Sequence, residues 1–437
     1  MSSIRLEAAL PADDGREQGE PQQEPWDGDA HLATFSAPFH AEKDASLRQN
    51  SVTSNSSVCP GPGDEASLIA GRFRLDEAIG EGTWGEVMKG VDTATKEPIA
   101  AKATRHGSVI AVASLIREFL AYCALSKFRG RETPVAPQDI DLLRSADSDQ
   151  LCDEGRASVA AVDGVVGVAQ VLHFESTLPP HHMDWSVADG NVAEGTPSSP
   201  SACLILRVLG PSLEQLRQYC LGCFDMPTIL MLADQAVGRI EHLHRCGIVH
   251  RDLKPENFLM GVGGTAHVLY LIDFGLVTTY QKSVSLLDLA GTDQDFVEAV
   301  HVEPDDSAGV AGTQRYASAD AMRGKRQSRR DDMQALVYCL VFLATGSLPW
   351  KGKMDEGNPS TVIQMKSSTP TAELCAKCPY LQDFVDAIFS LEFSDTPKYG
   401  ALRYELRRKM AEQNIRYDYS YCWARKRLDE LHRGLGV

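Results

Sequence analysis

Eight consecutive residues, His250-Arg251-Asp252-Leu253-Lys254-Pro255-Glu256-Asn257, set acids, bases and an amide close together, and Asp273-Phe274-Gly275 follows shortly downstream. These groups suit the transfer of a phosphoryl group. That reaction asks for a carboxylate beside the attacking hydroxyl, cations along the phosphates and oxygen ligands for a divalent metal. Asp252 can accept the hydroxyl proton, and Lys254 can neutralise the moving phosphate. Asn257 and Asp273 offer the oxygen atoms that Mg²⁺ prefers. A charged surface turn ahead of a hairpin is the bland alternative, but such a turn does not call for these residue types in this order.

Other elements must hold the phosphates and the base of a nucleotide. Phe73 to Ile79 reads as a strand, and Gly80, Gly82 and Gly85 then follow G-x-G-x-x-G, with Val87 completing G-x-G-x-x-G-x-V. Three spaced glycines also mark dinucleotide-binding turns. Here they lie between two strand-like segments rather than at the start of a helix, which favours a hairpin covering phosphates. The nucleotide-facing candidates are Ile79, Gly80, Glu81, Gly82, Thr83, Trp84, Gly85, Glu86 and Val87. Lys102 sits in the next apolar strand, Pro98 to Ala103, where a strand lysine could also merely extend to solvent. Its distance behind the glycines fits a phosphate-binding lysine. Apolar residues at helical spacing from Ser108 to Phe128 predict a helix, and Glu118 is the acid there that can pair with Lys102.

Cys203 to Leu206 reads as a strand running into a hinge at Arg207 to Ser212. Leu206 would limit the depth of the base pocket, with backbone groups of Arg207 and Leu209 for adenine. Met226 to Arg245 predicts a buried amphipathic helix under the catalytic loop, its apolar residues belonging to the core. Glycine loop, Lys102, Glu118, Asp252, Asn257 and Asp273 together form the motif set of a protein kinase. The expected fold is α+β and bilobal, a small β-rich N-lobe on a larger helical C-lobe, using ATP and Mg²⁺.

The chain further resembles the casein kinase I family. The resemblance rests on Leu209-Gly210-Pro211-Ser212-Leu213-Glu214, Asn257 to Gly261, Gly312-Thr313-Gln314-Arg315-Tyr316-Ala317-Ser318, Ser328 to Asp332 and Gly346 to Trp350. Ser368-Thr369-Pro370, Leu374-Cys375 and Tyr417-Asp418-Tyr419 extend it, so that it covers about residues 72–428. Tyr316-Ala317-Ser318 stands where most kinases have Ala-Pro-Glu. The resemblance implies a Ser/Thr protein kinase in which Thr313 braces Asp252 and Lys254, and Asp332 anchors the catalytic loop from behind; a plain helix N-cap is the alternative for Asp332. A kinase-fold scaffold with weak or regulated activity is the second reading. A scaffold lacking activity would show a broken Lys102, Asp252 or Asp273, and none is broken. A small-molecule kinase is disfavoured by the protein-docking residues Tyr316 to Ser318.

The sequence departs from that family in two places. Its lysine-rich stretch after the Leu-Pro-Trp turn is here the mixed Lys351 to Gly357, which predicts a weaker preference for already phosphorylated substrates, although Arg315 is kept. A long segment between Gly275 and Gly312 carries Glu303-Pro304-Asp305-Asp306. This acidic turn could dock on Arg251 and Arg315, or simply be a solvated loop.

Composition sets the wider frame. The chain has 437 residues and a formal net charge of −17. An acidic body argues against nucleic acid as a partner, because phosphate binding needs clustered positive charge. No stretch approaches a membrane helix in length, and the first residues do not form a secretory signal. Eleven cysteines without a signal peptide fit a reducing cytoplasmic or nuclear setting. Two C-x-x-C pairs, Cys220/Cys223 and Cys375/Cys378, lie far apart in segments that read as helical, so free thiols are expected rather than zinc. Residues 1–70 hold twelve acids and four bases without apolar periodicity and are expected to be a disordered extension. The kinase domain is expected at 71–428, with an N-lobe at 71–206, a C-lobe at 210–428 and surface insertions near 130–163 and 177–201. Residues 429–437 form a short end, leaving any tail-like control to the N-terminal extension or to other proteins. Expected partners are ATP and protein substrates, acidic or primed sites among them, with no nucleic acid or membrane partner and a monomeric chain.

Overall fold

The computed structural model of the chain describes residues 68–81, 85–104, 108–127, 167–176, 201–291, 300–353 and 359–434. The expected extension at 1–70, apart from its last three residues, and nearly all of the two insertions lie outside these residues. The N-terminal part comprises β1 (Phe73–Glu81), β2 (Gly85–Asp92), β3 (Pro98–Thr104), α1 (Val109–Lys127), β4 (Val171–Ser176) and β5 (Ala202–Arg207). The strands form one antiparallel sheet in the order β1-β2-β3-β5-β4. Strand β5 has no polar face because both its faces are covered. Cys203 and Ile205 enter one buried cluster with Ile99 and Ala101, while Ala202 and Leu204 enter another with α1. Strand β4 did not stand out from the sequence. It pairs with β5, and Phe174 stacks on Phe119 of α1 at 4.2 Å between ring centroids.

Helices dominate the remainder. First come α2 (Leu213–Tyr219), α3 (Met226–Arg245), β6 (Ile248–Val249), β7 (Phe258–Met260), β8 (Leu269–Leu271), β9 (Thr278–Thr279) and α4 (Leu286–Gly291). Then follow α5 (Ala319–Met322), α6 (Arg329–Thr345), α7 (Pro359–Ser368), α8 (Thr371–Leu374), α9 (Gln382–Phe389), α10 (Tyr399–Glu412) and α11 (Cys422–Gly434). Helix α3 starts as its sequence dictates: Asp225 is the N-cap, accepting from Thr228 N at 3.1 Å, and proline occupies the first turn. Its apolar positions are buried against α6, α10 and β8. The expectation about membrane-helix length needs correction. Helix α1, with 19 residues, is long and apolar enough to cross a membrane. Its apolarity has another cause: packed between the sheet and the C-terminal part, it buries Val112, Ile116, Leu120 and Leu125 in the core and carries Arg117 and Glu118 at its middle.

A buried lysine ties two segments of the C-terminal part together. Lys366 of α7 is 4% exposed, and its ammonium donates to the carbonyls of Gln314 (2.7 Å), Arg315 (3.2 Å) and Ala317 (2.5 Å). The rings of Trp350 and Tyr338 lie 4.7 and 4.9 Å from it. Burial pushes this ammonium down to about 7. A lysine whose folded pKa lies below its ordinary value binds fewer protons folded than unfolded across that window, so it raises stability with increasing pH. Between pH 7 and pH 9 the wild type should therefore gain on the order of 1–2 kcal/mol over Lys366→Met. Urea unfolding of both proteins at the two pH values measures this, and parallel stabilities would disprove it.

Candidate active site

The residues from His250 to Asn257 form a loop between β6 and β7, and one carboxylate fixes its shape. Asp332, buried in α6, accepts the backbone N–H of His250 at 2.6 Å and that of Arg251 at 2.9 Å. His244 Nε2 donates to it at 2.9 Å. A carboxylate only accepts, so Nε2 carries the hydrogen and Nδ1 accepts from the Tyr399 hydroxyl at 2.7 Å. Burial keeps His244 below its ordinary pKa. Burial alone would raise Asp332; the bond from His244 leads the effects that hold it below the usual carboxylate range. Asp332 is therefore no N-cap, since Ser328 holds that place. The loop it supports turns through Arg251 at φ 67°, in the left-handed region. Gly312 sits against this turn at φ 95°, where an added Cβ would meet Arg251 O at 2.2 Å, so its neighbour Thr313 comes close to Asp252.

Both oxygens of Asp252 are engaged. Oδ1 accepts from Thr313 N (2.8 Å) and Thr313 Oγ1 (2.7 Å), and Oδ2 accepts from Lys254 Nζ at 2.7 Å. Burial opposes the charge on Lys254, but the attraction of Asp252 prevails and raises its pKa. Asn257 Nδ2 donates to Asp252 O at 2.9 Å. This engages the amide nitrogen and leaves the Asn257 side-chain oxygen as the group for a ligand.

The second cluster bridges sheet and helices. Lys102 Nζ lies 2.6 Å from both Glu118 Oε2 and Asp273 Oδ1. Burial alone would lower Lys102; the two carboxylates outweigh it and raise its pKa. Burial pushes Glu118 up against the pull of Lys102, whereas for Asp273 that pull outweighs burial and lowers its pKa. Asp273 adopts φ 65° and opens a 3-10 turn, Phe274–Leu276. Phe274 is buried edge-on to Tyr122 of α1 and to His250, at 4.9 and 5.5 Å. Ser114 and Arg117 of α1 donate to Gly275 O at 3.2 and 2.9 Å. The position of α1, and with it Glu118, is thereby coupled to this turn. Arg251 Nε donates to Leu276 O at 2.6 Å, and burial lowers its guanidinium to about 10.

The expected nucleotide wall is described in part. Gly80 pairs with Val87 and Glu81 with Glu86 across the β1–β2 hairpin, while Gly82, Thr83 and Trp84 lie outside the described residues. Ile79 is exposed, and Val87 and Leu206 are half-buried. Gly85 is required by the sheet itself, since a Cβ there would meet Ala103 O at 2.1 Å. The Arg207 N–H donates to Gln170 O at 3.0 Å, and its side chain reaches Gln170 Oε1 (2.6 Å) and Glu97 (2.8 Å). Leu209 packs on the core beside Gly210, whose N–H donates to Met260 O at 2.8 Å.

Two expectations about the surroundings need correction. The acidic turn does not dock on Arg251 and Arg315. Glu303 pairs with Lys282 (2.7 Å), Asp305 with Arg326 (2.8 Å) and Asp306 with Lys325 (3.6 Å). The bridge between Gln281 and His301 sets Glu303 beside Lys282, and Arg326 N donates to Asp305 O at 2.7 Å, which turns the segment toward the start of α6. Arg315 instead lies 5.6 Å from the Phe342 ring, and its carbonyl accepts from Trp350 Nε1 at 3.0 Å. The C-x-x-C cysteines stand at helix ends rather than within helices: Cys220 follows α2, Cys375 follows α8, and Cys378 precedes a 3-10 turn. Met354 to Gly357 of the mixed-charge stretch lie outside the described residues.

His244, Ser114, Arg117 and Lys366 were not singled out from the sequence, because each acts on backbone carbonyls or on a distant acid. Only Ser114 and Arg117 left a hint, as polar side chains within an otherwise apolar helix. Asp332→Ala would leave two buried N–H groups and His244 without an acceptor, at about 1–3 kcal/mol for each unmet group. The variant should lose on the order of 3 kcal/mol of stability or more in urea unfolding. A loss below about 1 kcal/mol would show that the loop holds its shape without Asp332.

Residues 198–395 match the family model for the protein kinase domain. The match takes in β5, the loop around Asp252, the Asp273 turn and α6, while β1 to β4 precede it. A β-sheet in the N-terminal part, helices in the C-terminal part and the Lys102–Glu118–Asp273 cluster that bridges them accord with that domain. The match supports the protein kinase superfamily for this chain, and with it a phosphotransferase that uses ATP.

Proposed function

We propose that this chain is a Ser/Thr protein kinase of the casein kinase I type, transferring the γ-phosphoryl group of ATP to hydroxyls of protein substrates. The observation that carries this reading is the Asp252 carboxylate, held by Thr313 on one oxygen and Lys254 on the other. Asp252 would accept the proton of the attacking hydroxyl, and Lys254, two residues on as in Ser/Thr kinases, would face the moving phosphate. Thr313 keeps the carboxylate turned toward that hydroxyl. Lys102, steadied by Glu118, would hold the nucleotide phosphates. The oxygens of Asn257 and Asp273 are a donor set that fits Mg²⁺. When bound, the metal would neutralise charge building on the phosphate oxygens. The wall from Ile79 to Val87, with Leu206, Arg207 and Leu209, would enclose the nucleotide.

The domain would span 71–428 in a monomeric chain acting in the cytoplasm or nucleus. Substrate preference follows from the altered basic stretch. With Lys351 and Lys353 exposed and followed by Asp355 and Glu356, an upstream phosphate would meet a weakened, screened cationic site.

Radiolabel transfer to casein tests the chemistry. Asp252→Asn should lower incorporation by about 10²-fold or more, and equal incorporation by both proteins would remove Asp252 as the base. A peptide pair with and without an upstream phosphoserine tests the preference. The primed form should be favoured by about fivefold or less, and a ratio above about fiftyfold would overturn the weakened site.

A further inference from the structure

Two cysteines 202 positions apart meet away from the active site. The Sγ atoms of Cys220, which closes α2, and Cys422, which opens α11, lie 3.4 Å apart. Both residues are half-buried, and several bonds fix the surfaces that carry them. Cys422 N donates to Thr228 Oγ1 at 2.9 Å, and Tyr219 OH to Glu430 at 2.6 Å. Lys426 bonds to Tyr219 O, and Arg425 to Asp225. Phe224 and Trp423 pack at 5.2 Å between rings. The sulfurs are therefore held together by the docking of α11 rather than by a chance contact of mobile ends.

We infer that Cys220 and Cys422 form a redox modification site that a low-molecular-weight disulfide of the glutathione class converts into an intramolecular disulfide. The contact needs a further approach of about 1.4 Å, within reach of small side-chain rotations. Cys422 is the better nucleophile: it is the first residue of α11, where the unpaired backbone N–H groups of the first turn favour a thiolate. Its thiolate attacks one sulfur of the small disulfide, breaking that S–S bond and expelling one thiolate, which takes up a proton. Cys220 then loses its proton and attacks the Cys422 sulfur, expelling the second small thiolate. Two protein thiols are oxidised by two electrons, and one small disulfide is reduced to two thiols. In a reducing compartment such a bond would be transient, as for redox-sensing pairs. It would tie the last helix covalently to the helix that follows the β5 strand.

The test uses the full chain in buffers of graded reduced-to-oxidised glutathione ratio, with mass spectrometry of unreduced tryptic peptides. The expected product joins the peptide holding Cys220 to the one holding Cys422. It should persist in Cys223→Ser, which removes the neighbouring exposed thiol, and revert with dithiothreitol. Cys220→Ser should accumulate a glutathione adduct on Cys422, several-fold more than Cys422→Ser accumulates on Cys220. A Cys220–Cys223 link in the wild type, adducts without a cross-link, or unmodified thiols at the most oxidising ratio would each overturn the inference. None of these readouts depends on kinase activity.

Discussion

The geometry of the site hangs on the buried carboxylate of Asp332. Placing a charge in the core is costly unless donors surround it. Here the donors are two backbone N–H groups of the loop and one histidine, so the charge and the loop satisfy one another. The arrangement holds Arg251 in a left-handed turn that this side chain would not favour alone. That turn points Asp252 at Thr313 and places the Arg251 side chain on the Asp273 turn. A carboxylate buried in α6 thus determines where the Asp252 carboxylate lies.

The same economy recurs beneath the stretch from Gln314 to Ser318. Lys366 and Trp350 use side-chain donors on the carbonyls of Gln314, Arg315 and Ala317, while Ser318 donates to Asp331 at 2.5 Å and caps α5. An irregular segment cannot satisfy its own carbonyls as a helix does, so buried cations and hydroxyls supply the partners. Holding the backbone from below leaves the side chains of Gln314 and Arg315 exposed.

What could be read from the sequence was whatever depends on local spacing. The helix at Met226–Arg245 was predicted to the residue, because cap, first-turn proline and apolar period agree there. The pairing of Lys102 with Glu118 was legible because α1 offers no other acid. The acidic turn was misplaced because charge alone does not say which cation is near; backbone pairing at Gln281 and His301 decides it. The partners of Lys366 and the meeting of Cys220 with Cys422 were invisible for the same reason. Each depends on tertiary placement of segments far apart in the chain. The glycine at 85 was read as serving phosphates, whereas the sheet already demands it.

Strand β5 holds a further consequence. Its alternate residues, Cys203 and Ile205 on one side and Ala202 and Leu204 on the other, are shared between the two hydrophobic clusters. Neither cluster can loosen without uncovering one face of that strand. The small sheet and the helical body are therefore coupled in cooperativity as well as in geometry, and should open as one unit rather than as two independent folding units.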